Sequence, residues 1–353
     1  MKKKISLKYI AEKAGVSVAL VSYILNDKLT GRINKQTAAR VKKLAASLNY
    51  RPNQIARSLK TDKTFTIGLI VSDISNPFSS QLARVIENEA EKHNYTVISG
   101  SSDENADRSA KLLNLFIDRQ VDGIILAPVE NTEIQVTDLL ERKMPFVLID
   151  RFFPDLKTNS ISLDNYNASF AAVNHLIENG VERIGFIGYD QTLFNLKERE
   201  RGYVAALKLH RIKYNKSLVK SLTYHGAAEE ITFAIDQLVS GKKPVEGIFF
   251  ASNLISSLGI KYINKLKIRV PGELALISFD ETEAADLFYA PVTYIKQPIS
   301  VMGKAALGLL LNALNKRTTI SNLIFGGELI IRESSIKFPK PGMETTLRRG
   351  ILK

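Results

Sequence analysis

Tyr50-Arg51-Pro52-Asn53-Gln54-Ile55-Ala56-Arg57-Ser58-Leu59-Lys60-Thr61 divides the chain into two parts of different character. Residues 1–63 hold 15 Lys+Arg against 3 Asp+Glu, a net of +12 out of the whole chain's +13. From residue 64 onward, 34 basic and 33 acidic residues nearly cancel. Pro52 has no N–H to offer and a fixed φ, which suits the first turn of a helix. Asn53 to Leu59 then supply about two turns, and isolated helices below roughly 12–15 residues are marginal in water. The spacing predicts a conditional helix between a basic module and a neutral one; the plainer alternative is an interdomain linker.

Upstream of this stretch, helical spacing recurs three times. Ser6 can cap a helix whose apolar positions are Leu7, Ile10, Ala11 and Ala14. Gly15-Val16 supplies a turn, and Ser17 can cap a second helix from Val18 to Asn26. In that helix Val21, Ile24 and Leu25 face inward, which turns Val18, Ala19, Ser22 and Tyr23 outward. Asn34 caps a third, Lys35 to Leu48, with Val41, Leu44, Ala45 and Leu48 inside. Two short helices joined by a Gly-containing turn form a helix-turn-helix, whose second helix enters the major groove of DNA. A charge of this sign and placement points to a polyanion, and nucleic acid is the obvious one.

Composition narrows the rest. With 353 residues and 45% hydrophobic content the chain can build two or three packed units. It has no cysteine, so disulfides and thiolate chemistry are excluded. The basic start Met1–Ser6 has no apolar run behind it, and no stretch approaches the roughly 18 apolar residues of a membrane span. The expectation is a soluble, cytoplasmic protein without membrane association.

Downstream, apolar runs alternate with amphipathic stretches. The strand-like runs are Thr66–Val71, Thr96–Gly100, Gly123–Pro128, Phe146–Asp150, Ser160–Asp164, Arg183–Gly188, Gly247–Ala251 and Leu274–Asp280. Helical stretches between them include Gln81–His93, Arg108–Arg119, Ala168–Asn179 and Glu200–His210. This alternation predicts parallel sheets covered on both faces, and the number of strands predicts two lobes. Ligands of such sheets sit off the carboxyl ends of the strands. There the sequence places Asp73, Asn76 and Phe78 after the first run, and Asp150-Arg151 after the fourth. Arg199 lies in Glu198–Tyr203, at the expected opening of a helix, while Asn253, Asp280 and Gln297 end later runs. Carboxylates accept from vicinal hydroxyls, an Arg fork donates to ring or hydroxyl oxygens, and an aromatic covers an apolar face. The set suits a polyhydroxylated ligand, although each residue alone is as readily a helix cap or a surface group.

Ile10-Ala11-Glu12-Lys13-Ala14-Gly15-Val16-Ser17, Val21-Ser22, Leu25-Asn26, Leu48-Asn49-Tyr50-Arg51-Pro52-Asn53 and Ala56-Arg57-Ser58-Leu59 closely resemble the LacI/GalR family of transcription repressors. The resemblance continues through Ile67-Gly68-Leu69-Ile70-Val71-Ser72-Asp73-Ile74-Ser75-Asn76-Pro77-Phe78 and on to about residue 337. It implies an all-α helix-turn-helix headpiece at 1–49 and a hinge helix and linker at 50–63. It also implies an α/β ligand-binding and dimerisation core at 64–337, with a basic tail at 338–353. The implied core is periplasmic binding protein-like type I, with two doubly wound parallel-sheet lobes. Its N-lobe would take about 64–162 plus 293–322, its C-lobe 163–292 plus 323–337, with chain crossings near 162, 292 and 323. In the family the hinge folds on operator DNA, where the leucine matching Leu59 wedges between base steps of the minor groove. An apolar wedge unstacks the step and bends the duplex. Asn53, Ala56, Arg57 and Lys60 would make the other hinge contacts.

The recognition helix departs from the family pattern, with Leu20 and Tyr23 where Thr and Arg are common. Val18 and Ala19 bring no donor or acceptor, so base readout is expected from thymine methyls, Ser22 and the Tyr23 hydroxyl. Lys3, Lys8, Lys28, Arg32, Lys35, Arg40, Arg57 and Lys60 are candidate phosphate contacts, which implies affinity that falls steeply with salt. In the core, Asn76, Phe78, Asp150, Arg151, Arg199, Asn253, Asp280 and Gln297 match the family's sugar-contacting set. Ser79 stands where many sugar binders carry a second aromatic, Leu254 replaces an aspartate, and Tyr224 is a further candidate wall. The implied partners are double-stranded operator DNA, a monosaccharide or derivative as effector, and a second copy of the chain. Closure of the cleft on the effector would change the spacing of two hinge helices.

The rivals are a sugar-processing enzyme or carrier with an appended DNA-binding head. His93, His175, His210 and His225 are scattered and fit no metal-ligand spacing, and no GxSxG or phosphate-binding glycine loop is present. Asp150 and Asp280 could form an acid/base pair, but the adjacent arginines are expected to favour their ionised forms. No catalysis, cofactor or metal is therefore expected. The tail beyond Phe338 carries no leucine heptad for a coiled coil.

Overall fold

The computed structural model describes residues 5–25, 32–50, 63–316 and 319–336. The chain divides into two compact units, Met1–Thr64 and Phe65–Lys353.

The first unit is helical. Helix α1 (Leu7–Ala14) starts at Ser6, whose side chain accepts from the Tyr9 N–H, and stops at Gly15, whose φ of +64° is the left-handed conformation glycine adopts without penalty. Helix α2 (Val18–Leu25) is capped by Ser17, which accepts from Leu20 N–H at 3.2 Å. Asn34 caps α3 (Lys35–Ser47), accepting from Gln36 and Thr37. Ile10, Ala11, Ala14, Val21, Ile24, Val41 and Ala45 form the buried centre, with Leu20, Leu25, Leu44 and Leu48 packed around it. The conditional-helix stretch lies outside the described residues, and with it Asn53, Ala56, Arg57, Leu59 and Lys60, as do Lys3, Lys28 and the tail.

The second unit holds two six-stranded sheets. The first contains β1 (Thr66–Val71), β2 (Thr96–Ser101), β3 (Gly123–Leu126), β4 (Phe146–Ile149), β5 (Ser160–Leu163) and β11 (Asn322–Phe325), in the order β11-β5-β4-β3-β1-β2. The second contains β6 (Ile184–Tyr189), β7 (Val219–Leu222), β8 (Gly247–Phe250), β9 (Ala275–Phe279), β10 (Thr293–Lys296) and β12 (Glu328–Ile330), in the order β12-β10-β9-β8-β6-β7. All pairings are parallel except that of β10 with β12. β3, β4, β5, β8 and β9 are buried along their whole length, as apolar strands covered by helices on both faces must be. The covering helices are α4 (Pro77–Lys92), α5 (Ala106–Asp118), α6 (Glu133–Glu141) and α12 (Ile299–Leu314) on the first sheet. On the second they are α7 (Asn165–Glu178), α8 (Phe194–Leu209), α9 (Ala227–Val239), α10 (Asn253–Leu266) and the short α11 (Glu283–Leu287).

Three details correct the sequence reading. β10 pairs with β9, Tyr294 opposite Ser278, so Thr293–Lys296 belongs to the second lobe and the crossing expected near 292 follows Lys296. β11 pairs with β5, Leu323 opposite Ile161, so the crossing expected near 323 comes at Gly326-Gly327. In both cases backbone pairing carries the strand a few residues past the expected boundary. Arg199 does not open a helix: α8 begins at Phe194 and carries Arg199 on its second turn.

Candidate functional site

The carboxyl ends of strands from both sheets meet at a narrow cavity of about 50 Å³. Asn76, Phe78, Asp150, Arg151, Arg199, Asn253, Asp280 and Gln297 all line it, so the structure brings together eight of the nine residues named from the sequence. The ninth, Asp73, lines a neighbouring cavity of about 510 Å³ that shares Asn76, Asn253 and Tyr224 with the first. Ser79 is buried on the cavity wall, and Leu254 is exposed in the larger space beside it.

Local structure explains the convergence. Asp150 follows β4 and Asp280 follows β9, each at the end of the equivalent strand of its sheet. Both take a left-handed backbone, φ +67° and +71°, which aspartate tolerates better than most residues. Each backbone N–H donates to the next strand, Asp150 to Ile161 O at 2.8 Å and Asp280 to Ile295 O at 3.1 Å. The left-handed turn thus leaves both carboxylates at the strand ends, on the cavity wall. Asn76 caps α4 by accepting from Phe78 N–H, and Pro77 starts the helix. Asn253 is the first residue of α10, behind its cap Ser252.

The charges are dense and mostly paired. Arg151 donates both terminal nitrogens to Glu104, at 2.7 and 2.5 Å, and its Nε lies 3.7 Å from Asp150. Arg199 donates to Asn165 Oδ1 at 2.8 Å and Ala251 O at 2.7 Å, and its guanidinium lies 3.5 Å from the Phe279 ring centre. Gln297 donates to Asp280 Oδ1 at 2.6 Å. Burial raises the pKa of Asp150 against the pull of Arg151 and Arg199. It likewise raises that of Asp280 against Arg199 and Gln297. This corrects the expectation that neighbouring arginines prevail: removal from water outweighs them. Burial also lowers Arg199, opposed by Asp280 and Asp150, and pushes the Tyr189 hydroxyl up to about 12.

Among the described residues, five buried side-chain atoms around the cavity have no hydrogen-bond partner: Asp150 Oδ1, Arg151 Nε, the Tyr189 hydroxyl, Asn195 Oδ1 and Gln297 Oε1. Buried polar atoms in native proteins are overwhelmingly paired, so each exception calls for a reason. The mouth is bridged from lobe to lobe. Asn253 donates to Asn76 at 2.7 Å and Asn76 returns the bond at 3.3 Å, while the Tyr224 hydroxyl donates to Asp73 at 2.6 Å. Burial pushes Asp73 up, but bonds from Tyr224 and Ser75 outweigh it and hold the carboxyl below its usual value. On another flank Thr192 donates its N–H and hydroxyl to Glu130, at 2.6 and 2.5 Å.

Glu104, Tyr189 and Asn195 also line the cavity and were missed from the sequence. Two of them carried a usable signal. Glu104 follows the end of β2, the same strand-end position that singled out the others, and Asn195 precedes Arg199 by one helical turn.

In the helical unit, Val18, Ala19 and Tyr23 are exposed on one side of α2, with Ser22 half-buried beside them. Val18 and Tyr23 expose 44% and 42% of their surface. Ser17 is exposed while its hydroxyl caps the helix, and Lys8, Arg32, Lys35 and Arg40 are exposed. Among the described residues no group of His, Cys, Asp and Glu is placed to hold a metal ion. His175 is buried against Ser335 at 2.8 Å, a packing role.

A family profile described as "Bacterial regulatory proteins, lacI family" matches residues 6–53, and one described as "Periplasmic binding protein-like domain" matches residues 173–335. The HTH-type transcriptional regulator RegA of Clostridium saccharobutylicum is 32% identical over 336 residues, covering 94% of this chain and 99% of its own. The chain belongs to the LacI family. It is a helix-turn-helix regulator of transcription. This LacI-family chain also shares its fold with the Lac repressor dimer bound to operator and the anti-inducer ONPF. That match has a TM-score of 0.83 at 19% identity, over 95% of this chain and 100% of the other. A periplasmic binding protein/LacI transcriptional regulator from Alkaliphilus metalliredigens QYMF, complexed with D-xylulofuranose, matches 77% of this chain and 99% of its own. Its identity is 26% and its TM-score 0.66. Among the described residues no helix is long and apolar enough to cross a membrane.

Proposed function

We propose that the chain is a homodimeric repressor whose affinity for an operator duplex is set by a monosaccharide or close derivative in the cleft. In this reading Asp73, Asn76, Phe78, Asp150, Arg151, Arg199, Asn253, Asp280 and Gln297 contact or enclose the effector. The observation that carries it is the unpaired set of Asp150 Oδ1, Arg151 Nε, the Tyr189 hydroxyl, Asn195 Oδ1 and Gln297 Oε1 on one cavity. Three acceptors, one donor and a hydroxyl that can serve as either, in a small space, match the alternating donors and acceptors of vicinal hydroxyls. A sugar-bound relative of the same fold supports the choice of ligand class. A cavity of about 50 Å³ is far smaller than a sugar ring. Entry therefore requires the lobes to part and the Asn76–Asn253 and Asp73–Tyr224 bonds to exchange, which gives the ligand a conformational equilibrium to act on.

On the DNA side, Val18, Ala19, Ser22 and Tyr23 would read bases, and Lys8 with the other exposed cations would contact phosphates. Hinge residues Asn53, Ala56, Arg57, Leu59 and Lys60 would enter the minor groove. The test is a thermal-shift screen against sugars and their derivatives. A ligand at 100 times its Kd adds about 2.7 kcal/mol, on the order of 5–10 °C for a unit of this size. Asp280→Ala should abolish the shift and keep DNA affinity, and Leu59→Ala should do the reverse. A screen without any shift would sink the reading. A second reading, a sugar-processing enzyme, is favoured by the raised pKa of Asp150 and Asp280. Incubating the purified protein with a sugar that shifts it and finding that sugar unchanged decides against catalysis.

A further inference from the structure

We infer that the cleft takes an uncharged ligand and that Glu104 enforces this, by occupying the guanidinium fork of Arg151 before any ligand arrives. The inference rests on the sugar reading of the cleft and specifies the chemical class of sugar. An arginine facing a pocket is ordinarily the feature that receives a phosphate or carboxylate, through two parallel N–H bonds. Here both terminal nitrogens of Arg151 are held by Glu104, whose side chain is only 3% exposed, and only Nε is left unpaired. Arg199 offers no open fork either, since Nε and one terminal nitrogen are committed to Asn165 and the Ala251 carbonyl. Among the described residues no lysine or histidine lines the cavity.

Against these two guanidinium groups stand three carboxyl groups, Glu104, Asp150 and Asp280. Fully ionised, the set carries one surplus negative charge, and a proton on either aspartate makes it neutral. An incoming phosphate would have to displace Glu104 from Arg151 and leave a carboxylate buried beside the new anion. Both consequences are unfavourable in a desolvated site. A neutral hydroxyl meets no such opposition: it donates to Asp150 Oδ1 or Gln297 Oε1 and accepts from Arg151 Nε. Glu104 is thus a specificity-determining residue acting partly through Arg151, and the cleft discriminates by charge.

The experiment measures thermal shifts and Kd values of the full chain for D-glucose, D-galactose, D-fructose and D-ribose. The same sugars are measured as monophosphates, and glucose and galactose also as uronates. The expected result is binding of at least one neutral sugar with tenfold or greater preference over its charged counterparts. In Glu104→Gln, which keeps shape and removes the charge, that preference should narrow at least threefold, and Glu104→Asp should preserve it. A phosphorylated or acidic sugar that binds the wild-type chain as tightly as its neutral parent overturns the inference while leaving the sugar reading intact. No shift with any compound, neutral or charged, overturns both. Should Glu104→Gln fail to fold, the wild-type comparison alone decides whether the cleft discriminates by charge.

Discussion

The two lobes of the core are the same piece of architecture used twice, and they equip the cleft differently. Each has its first five strands in the same spatial order, and each puts an aspartate with a left-handed backbone after its fourth. In the first lobe Asp150 is followed by Arg151, which is already neutralised within that lobe by Glu104. In the second, Asp280 faces an arginine that arrives from a helix, Arg199, held by a carbonyl, a carboxamide and the Phe279 face, and among the described residues no carboxylate is hydrogen-bonded to it. One scaffold therefore supplies a closed ion pair on one wall and a guanidinium held by neutral groups on the other. Position in a fold fixes where functional groups stand, while the neighbours decide what they can bind.

The largest expected effect is at Arg199. Arg199→Ala removes three interactions of a buried cation and leaves Asp280 without its opposing charge. Breaking a buried charged set costs about 3–5 kcal/mol, and both the melting temperature and any sugar-induced shift should collapse. An unchanged melting temperature would mean that the second wall is not organised by this residue.

Next comes helix packing, where the lobes also differ. A methyl group at Gly202 would lie 2.3 Å from the Tyr166 carbonyl oxygen and 2.9 Å from the Phe170 nitrogen, both backbone. At Gly303 it would meet the side chains of Val85 and Leu82, at 2.7 and 3.4 Å. Overpacking costs about 1–3 kcal/mol, so Gly202→Ala should reach or exceed the upper figure and Gly303→Ala stay near the lower. Urea titration of the two variants checks the order.

Asp150→Asn sharpens the contrast in the opposite direction. Arg151 keeps Glu104, asparagine suits a φ of +67°, and a carboxyl whose pKa burial has raised is replaced by a neutral group. A raised folded-state pKa means that wild-type stability falls as pH climbs above the unfolded value near 4. The variant should therefore melt higher than wild type at pH 7, by roughly 2–4 °C per kcal/mol. The gain should shrink as pH falls towards 4, and ligand affinity should drop. The smallest effect is at the mouth. Tyr224→Phe deletes one bond to Asp73, worth on the order of 1–2 kcal/mol, and should speed ligand association more than it alters stability.

Much of this was readable in the sequence, for identifiable reasons. Caps at Ser6, Ser17 and Asn34 and the glycine at 15 mark the helical unit because each satisfies a backbone need at one place in the chain. Strand ends place the cavity residues because parallel sheets gather their ligands there. What escaped depends on contacts distant in sequence. Glu104 could be placed by its strand end, but its pairing with Arg151, 47 residues away, is announced by nothing local. The membership of β10 in the second sheet is decided by hydrogen bonds to β9, so an apolar run alone could not place it. The pKa direction of the aspartates was misjudged because sequence shows neighbouring charge and hides depth of burial.

The central claim is that occupancy of the cleft is felt at the DNA. It is tested most directly by selecting a duplex from a random pool with the full chain, then measuring its Kd with and without a saturating neutral sugar identified by thermal shift. The account predicts a change of tenfold or more in the wild-type chain and none in Asp280→Ala. An affinity for the selected duplex that stays the same whether the cleft is filled or empty would contradict it.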